Sequence, residues 1–263
     1  MNKFKIVINA YNKELWIPYN LNSILNQTYK NFEIIYIDDA STDKTFEIAT
    51  DILTKSDNIK YTLFQNEVNM RKPYSDYCLL EKVSDLQDDD ILVLFESDDW
   101  FATNTVLEQL NDLYNATDCW VTYGGMIVWE GLNPDGSQIL KQPYPQNTNF
   151  PDIVHEHRNY RKDLWRASHL KTMRGFIYKS INKEDFKTID GKWTLPEDIV
   201  IMFAALEMSG KDKIQNVKFS THIYNQHPSV SGATADYQDK HFMEQELEIR
   251  NRDKYKLHER NKI

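Results

Sequence analysis

Apolar residues in the first half of the chain fall into short dense runs separated by amphipathic stretches. Phe4–Asn9, Phe32–Ile37, Ile59–Phe64 and Ile91–Phe95 are rich in β-branched and aromatic residues, the pattern of buried strands. Between them the apolar positions take a helical spacing. Leu21, Ile24 and Leu25 share one face before Gln27, and Phe46, Ala49, Ile52 and Leu53 share another, with Ser41 or Thr42 as its cap. Val106, Leu107, Leu110 and Leu113 mark a third helix, with Thr103 as its cap. Strand and helix in alternation predict right-handed crossovers and a largely parallel sheet, whose ligand crevice opens at the carboxyl ends of the strands.

The second half is less regular. Cys119–Trp129 predicts one long strand, and Asn133-Pro134-Asp135-Gly136 a turn into a short return strand. A loop follows from Lys141 to Arg158, with Pro143, Pro145 and Pro151. Pro196 opens a helix carrying Ile199, Met202, Phe203 and Leu206, and Gly210 closes it, in keeping with the placing of proline at helix starts and glycine at helix ends. Phe219–Tyr224 predicts a last strand. From Tyr237 onward a highly charged helix carries sparse apolar positions, expected to pack lightly on the domain.

Composition narrows the partners. With 31 basic against 40 acidic residues the formal charge is −9, which argues against an extended nucleic-acid surface. An acidic protein can still bind a diphosphate when a divalent cation stands between its carboxylates and the phosphate oxygens. No apolar run approaches the roughly 20 residues of a membrane span, and the start Met1-Asn2-Lys3-Phe4-Lys5 lacks a signal-peptide pattern, so cytoplasmic residence is expected. Cys78 and Cys119 are read as two reduced thiols in apolar surroundings.

Two acidic clusters stand directly after strands. In Ile37-Asp38-Asp39-Ala40-Ser41-Thr42-Asp43 the carboxylates can either accept hydrogen bonds from a base or ribose, or cap the following helix. In Phe95-Glu96-Ser97-Asp98-Asp99-Trp100, three carboxylates within four positions repel one another, and a hard divalent cation is the usual reason for such crowding. Asp88-Asp89-Asp90 precedes its strand and reads as a solvated turn at the wrong end of the sheet.

Together with Ala10-Tyr11-Asn12 these clusters resemble family 2 glycosyltransferases of the GT-A fold. That family has a strand ending in Thr/Ala-Tyr-Asn, a second ending in Asp-Asp-Gly-Ser-x-Asp and a later one ending in Asp-x-Asp-Asp. Ser23–Tyr29 with Phe32-Glu33 is similar to the stretch before its second strand. The chain departs at Ala40, where glycine is usual, and at Glu96, where aspartate is usual. The resemblance implies an α/β fold with a Rossmann-like, mostly parallel sheet, a C-terminal acceptor-side region and a terminal helix. It divides the chain into a glycosyltransferase domain over 1–235 (nucleotide-binding half 1–115, acceptor and catalytic half 116–235) and a charged helix over 236–263.

By position, the resemblance implies that Ala10, Tyr11 and Asn12 frame the base, that Asp39 hydrogen-bonds it, that Arg71 or Lys72 borders the nucleotide and that Asp98 touches the ribose. Asp99 would bind Mn²⁺ or Mg²⁺ at the diphosphate. Leu195-Pro196-Glu197-Asp198 is similar to the family's Glu-Asp motif, making Asp198 the general base of an inverting displacement. Tyr224-Asn225-Gln226-His227-Pro228-Ser229-Val230-Ser231 looks like a family ending whose histidine completes the metal shell, which points to His227 ahead of His222. Trp165–Phe176 falls where the family builds its acceptor wall, and Trp165, Trp193 or Trp100 could stack on a sugar. The implied partners are a nucleotide sugar, with UDP as its nucleotide, and an acceptor hydroxyl on a glycan. Two other classes compete: a sugar-nucleotide nucleotidyltransferase, which would show a Gly-rich phosphate loop that Ala10–Glu14 lacks, and a silent carbohydrate-binding protein, against which Asp99 and Asp198 speak.

Overall fold

The computed structural model describes residues 1–57, 59–72, 74, 85–142, 146–227 and 240–262. Its centre is a seven-stranded sheet in the order β10-β6-β9-β4-β1-β2-β3. The four expected strands are β1 (Phe4–Ala10), β2 (Phe32–Asp38), β3 (Lys60–Gln65) and β4 (Ile91–Glu96), all parallel to their neighbours among these four. Beyond them lie β6 (Val121–Tyr123), β9 (Lys171–Arg174) and β10 (Ile214–Asn216). Only β9 runs against β4 and β6.

Strand alternation divides the core between the two faces of this sheet. Ile6, Ile8, Ile34, Tyr36, Val93 and Phe95 point toward α1 (Ile17–Leu25), α2 (Thr45–Thr54) and α3 (Val106–Thr117). Val7, Ile35, Leu92 and Leu94 point to the other face, against α5 (Gly175–Lys179) and α6 (Glu197–Ser209). Every residue of α6 but Asp198 is buried, and Gly210 closes the helix at φ 75°.

The expected caps differ in detail. Lys44 and Thr105 occupy the cap positions of α2 and α3, and neither side chain bonds to the amides of its helix start. Asp43 Oδ1 accepts from Thr45 N instead, and the buried Gln27 reaches across from α1 so that its Oε1 accepts from Leu107 N at 3.1 Å. These contacts satisfy amide groups that a helix start leaves unpaired.

Cys119–Trp129 is not one strand. Gly124 (φ 96°) and Gly125 (φ 80°) break it, and a Cβ at Gly125 would stand 2.4 Å from Phe219 O. Only glycine fits this close approach. The chain leaves the main sheet there and enters a four-stranded sheet ordered β5-β11-β7-β8, with β5 at Trp100–Phe101, β7 at Met126–Leu132, β8 at Gln138–Lys141 and β11 at His222–Asn225. The turn at Asn133–Gly136 joins β7 to β8 as expected. The loop after β8 contains a short helix, α4 (Asp152–His157), while Pro143 and Pro145 lie outside the described residues.

The terminal helix, α7 (Lys240–Asn251), is tied in more firmly than its polarity suggests. Ile249 is 1% exposed, and Arg161 makes two bonds to the carboxylate of Glu207 while its Nη1 donates to Ile249 O at 2.7 Å. Tyr237 to Asp239, where the charged stretch begins, lie outside the described residues, as does Cys78. No helix among the described residues is long and apolar enough to cross a membrane.

Candidate active site

Parallel strands β1, β2 and β4 bring Ala10, Asp38 and Glu96 to one edge of the sheet, and the residues that follow them form the candidate site. After β1 the chain turns through Asn12 (φ 52°), whose Oδ1 accepts from Thr42 N at 2.8 Å while its own N–H donates to Ser41 Oγ. This joins the first turn to the second. Ala10 is buried and Tyr11 is 43% exposed, leaving its ring open to solvent.

The two roles open to the Asp38-Asp39 pair separate. Asp38 Oδ1 accepts from Ser41 N at 2.9 Å and closes the turn. Asp39 makes no bond to α2: its Oδ1 accepts from Asn66 Nδ2 at 2.8 Å and from Met70 N at 2.9 Å, organising the segment after β3. Ala40 takes φ 60°, so this turn does use the left-handed conformation that glycine adopts freely. Arg71 follows on the surface, also at positive φ (66°).

At the end of β4 the acids diverge. Asp98 faces Lys13, with Nζ and Oδ2 2.7 Å apart and both side chains about one-seventh exposed. Asp99 turns inward and is 1% exposed; its Oδ1 accepts from Asn225 N at 2.9 Å. Asn20 on α1 holds this turn by donating to the carbonyls of Glu96 and Asp99, each at 2.8 Å. The neighbouring histidine is His222, whose Nε2 lies 3.5 Å from Asp99 Oδ2. Both of these atoms are buried and have no hydrogen-bond partner among the described residues. His169 offers a third donor atom within 4.8 Å of the other two. One carboxylate oxygen and two imidazoles fit a divalent cation. Burial and the charge of Asp98 push the Asp99 carboxyl well above its ordinary range, while burial and the neighbouring His169 push His222 well below its own.

His227 follows Asn225, its N–H donating to Asn225 Oδ1 at 3.0 Å. Its ring stacks on Trp129 with centroids 5.6 Å apart, and Trp16 is also 5.6 Å away, within a cluster that includes Trp100 and Tyr19. Pro228 to Ser231 lie outside the described residues.

Asp198 enters from the first turn of α6. Because β9 is antiparallel, its amino end lies at the carboxyl end of β4 and delivers His169 and Lys171 to the same place. Lys171, fully buried, places its ammonium on Asp198 Oδ1, and His169 Nε2 lies 3.6 Å from Asp198 Oδ2. Lys72 bridges Glu96 Oε1 at 2.5 Å and Glu197 Oε1 at 2.8 Å, with Asp198 at 3.9 Å. Three carboxylates thus surround two ammonium groups. Burial raises the Asp198 carboxyl, but Lys171 and Lys72 outweigh it and hold the group well below the usual carboxylate range. Burial dominates at Glu197, which moves up, and at His169, which burial and Lys171 bring down to about 4. The Asp198 side chain is 28% exposed, and the two lysines that favour its ionised form also weaken it as a proton acceptor in this arrangement.

The structure brings Ala10, Asn12 and Asp39 together around the first two turns, and Asp98, Asp99 and Asp198 around the third. Lys13, His169, Lys171 and Asn225 were not singled out by motif. No sequence signal set His169 and Lys171 apart: Arg166, Ser168, Thr172 and Arg174 make the stretch polar throughout, and His169 lies before β9 begins at Lys171. A cavity of about 560 Å³ lies instead at the β6–β10 edge, lined by Tyr123, Phe150, His155 and Asn216 among others. It contains none of these groups. Of the three tryptophans considered for sugar stacking, Trp100 lies in the cluster beside His227, Trp165 packs on Phe203 and Trp193 on Tyr74.

Comparison with known proteins agrees with this architecture. The chain is 30% identical over 185 residues to the putative glycosyltransferase EpsE of Bacillus subtilis, covering 69% of this chain and 62% of EpsE. It is 31% identical over 154 residues to a Campylobacter jejuni GalNAc(5)-diNAcBac-PP-undecaprenol beta-1,3-glucosyltransferase, covering 55% of this chain and 48% of that one. The matches thus span about half to three-fifths of these relatives. Among solved structures, S. aureus TarS (residues 1–349, in complex with UDP) superposes with a TM-score of 0.58 at 19% identity, over 96% of this chain and 67% of TarS, a likeness that shows the GT-A fold. The sequence profile described as Glycosyl transferase family 2 matches residues 5–174, and the chain belongs to that family.

Proposed function

We propose that this protein is an inverting glycosyltransferase that moves a sugar from a UDP-sugar to a hydroxyl of a glycan acceptor, with a divalent cation at the donor diphosphate. The observation that supports the reading is that Asp98, Asp99 and Asp198 all stand at the carboxyl edge of the sheet, beside the end of β4 and the start of α6. In this reading Ala10, Tyr11 and Asn12 frame the base and Asp39 hydrogen-bonds it, with Arg71 at the border. Asp98 contacts the ribose, exchanging its bond to Lys13 for one to a hydroxyl. Asp198 takes the proton of the acceptor hydroxyl as that oxygen attacks the anomeric carbon, and the sugar–phosphate bond breaks with the electron pair leaving on the diphosphate. Bound Mn²⁺ or Mg²⁺ would supply positive charge to the leaving diphosphate. Asp99 would be its first ligand, with His227 as a further one.

UDP bound to the S. aureus neighbour and the undecaprenol-linked glycan in the name of the C. jejuni relative support a nucleotide sugar as donor and a lipid-linked or free glycan as acceptor. The division into a domain over 1–235 and a helix over 236–263 is retained as part of the proposal, as is a cytoplasmic location. Calorimetry with UDP in the presence of Mn²⁺, repeated with chelator, tests the donor site: affinity should fall sharply without the ion. Incubation with a panel of nucleotide sugars and glycan acceptors tests transfer. Failure to bind any nucleoside diphosphate in the folded protein would overturn the reading.

A further inference from the structure

The cavity of about 560 Å³ is a cleft along the free side of β10, the edge strand, facing the loop that carries α4. Its size falls in the range of small-molecule sites, roughly 300–1,000 Å³, and exceeds what a few buried waters need. The floor is apolar: Tyr123, Phe150 and Val217 are at most 3% exposed. Phe219, half-buried, adds a further ring. Two contacts cross from one wall to the other. Lys218 Nζ donates to Asn149 Oδ1 at 2.9 Å and also reaches Asn216 Oδ1, and Lys211 Nζ lies 3.0 Å from Asp152 Oδ1. Asn149 Nδ2 and the Gln215 side-chain amide line the cleft without a hydrogen bond among the described residues.

This lining selects a class of ligand. Lys211 and Lys218 balance Asp152 and Asp212, so the cleft has no net charge with which to hold a phosphate or a carboxylate. With three residues, β10 offers too short an edge for an extended peptide to join the sheet. Amide donors and carboxylate acceptors side by side suit hydroxyl groups, each of which donates and accepts. A neutral sugar chain carries such hydroxyls in rows, together with C–H faces that an aromatic ring can cover.

Strand order ties the cleft to the candidate active site. β4 and β6 both run against β9 and so lie parallel to each other, and Asn216 on β10 pairs with Tyr123 at the carboxyl end of β6. The cleft therefore reaches the sheet edge that carries Asp98 and Asp198, three strand spacings from β4, or about 14 Å. It shares no residue with Trp165–Phe176 or with the acidic turns. We infer that this cleft binds the body of a neutral oligosaccharide whose terminal hydroxyl lies at Asp198. Its role toward an acceptor rests on the proposed function, whereas the binding of a neutral oligosaccharide does not.

The test uses the full chain with chelator and no nucleotide, applied to an array of neutral oligosaccharides of hexoses and N-acetylhexosamines, from monosaccharide to hexasaccharide. Calorimetry on the tightest binder should show one site, with affinity rising along the series. Asn149→Ala and Gln215→Ala each remove a hydrogen bond and should weaken binding about 3–10-fold. Asn149→Trp introduces a large ring from an exposed position, so the fold is kept and binding should be lost. In the transfer assay that variant should raise KM for a hexasaccharide acceptor about 10-fold relative to KM for the monosaccharide. Folded wild-type protein that binds no neutral oligosaccharide overturns the site, as does tighter binding of sulfated or phosphorylated ones. Binding unchanged in Asn149→Trp overturns its placement in this cleft. UDP binding and sugar transfer are measured separately: oligosaccharide binding here without transfer to any acceptor would retain the site and sink the proposed function, and transfer with an unaltered KM ratio would remove the acceptor role.

Discussion

The ammonium group of Lys171, fully buried, rests on the carboxylate of Asp198, the residue proposed as general base. The pair sets Asp198 apart from an ordinary acid in the first turn of a helix, which is worth only about 0.3–1 kcal/mol through the helix dipole. Asp198→Asn would leave Lys171 with Glu96 at 3.9 Å and Lys72 nearby. We predict that transfer per folded molecule falls by about 10²–10⁴ while stability drops by about 3 kcal/mol, the scale for breaking a buried pair. Adding Lys171→Met should recover much of the stability but none of the turnover. Urea unfolding and a transfer assay on both variants check this, and near-wild-type transfer by Asp198→Asn would remove it as the base.

Asp39 makes no bond to the helix after it, and its hydrogen bonds go to Asn66 and Met70. Asp39→Ala is expected to weaken UDP binding by about 1.5–3 kcal/mol, the scale for a charge-assisted hydrogen bond. Calorimetry on the folded variant measures it. An unchanged dissociation constant would confine Asp39 to organising the 66–70 segment.

Ala40 occupies φ 60°, which costs a residue with a Cβ about 1–2 kcal/mol. Glycine avoids that strain but gives back about 0.5–1 kcal/mol in backbone entropy. Ala40→Gly should therefore raise stability by up to about 1 kcal/mol, seen as a higher urea midpoint at constant slope. A lower midpoint would mean that the turn does not hold this conformation in solution.

Glu33, 2% exposed, lies 2.8 Å from the fully buried Lys5. Burial pushes the Glu33 carboxyl up, but Lys5 and Lys60 more than reverse it, and it ends below its ordinary value. The unfolded chain then binds more protons than the native state as pH falls below about 4.3. The stability from this group is present above that pH and is lost as acid titrates toward the depressed native value. Glu33→Gln should cost about 3–5 kcal/mol at neutral pH, because Lys5 keeps only Asp85 at 2.9 Å, and should flatten the acid limb of stability against pH. Unfolding free energies from pH 3 to 7 on both proteins decide it; identical acid limbs would refute the assignment.

Short-range pattern was enough to find β1 to β4, the helices between them and the turns bearing Asp39, Asp98 and Asp99, because strand burial and the residues at a strand's end are local properties of the chain. It also placed α6 and its acidic first turn, since proline and glycine mark both ends. Local pattern could not show that Gly124 and Gly125 pass the chain between two sheets, because their need for glycine comes from the Phe219 carbonyl almost a hundred residues away. Nor could it pair Lys171 with Asp198, Lys13 with Asp98 or His222 with Asp99, separated by 27, 85 and 123 residues. These contacts depend on strand order and on β9 running against its neighbours, which bring the ends of distant elements to one edge. The acids are therefore legible in one dimension, whereas their charge states and partners depend on burial and on the cations that the folded sheet sets beside them.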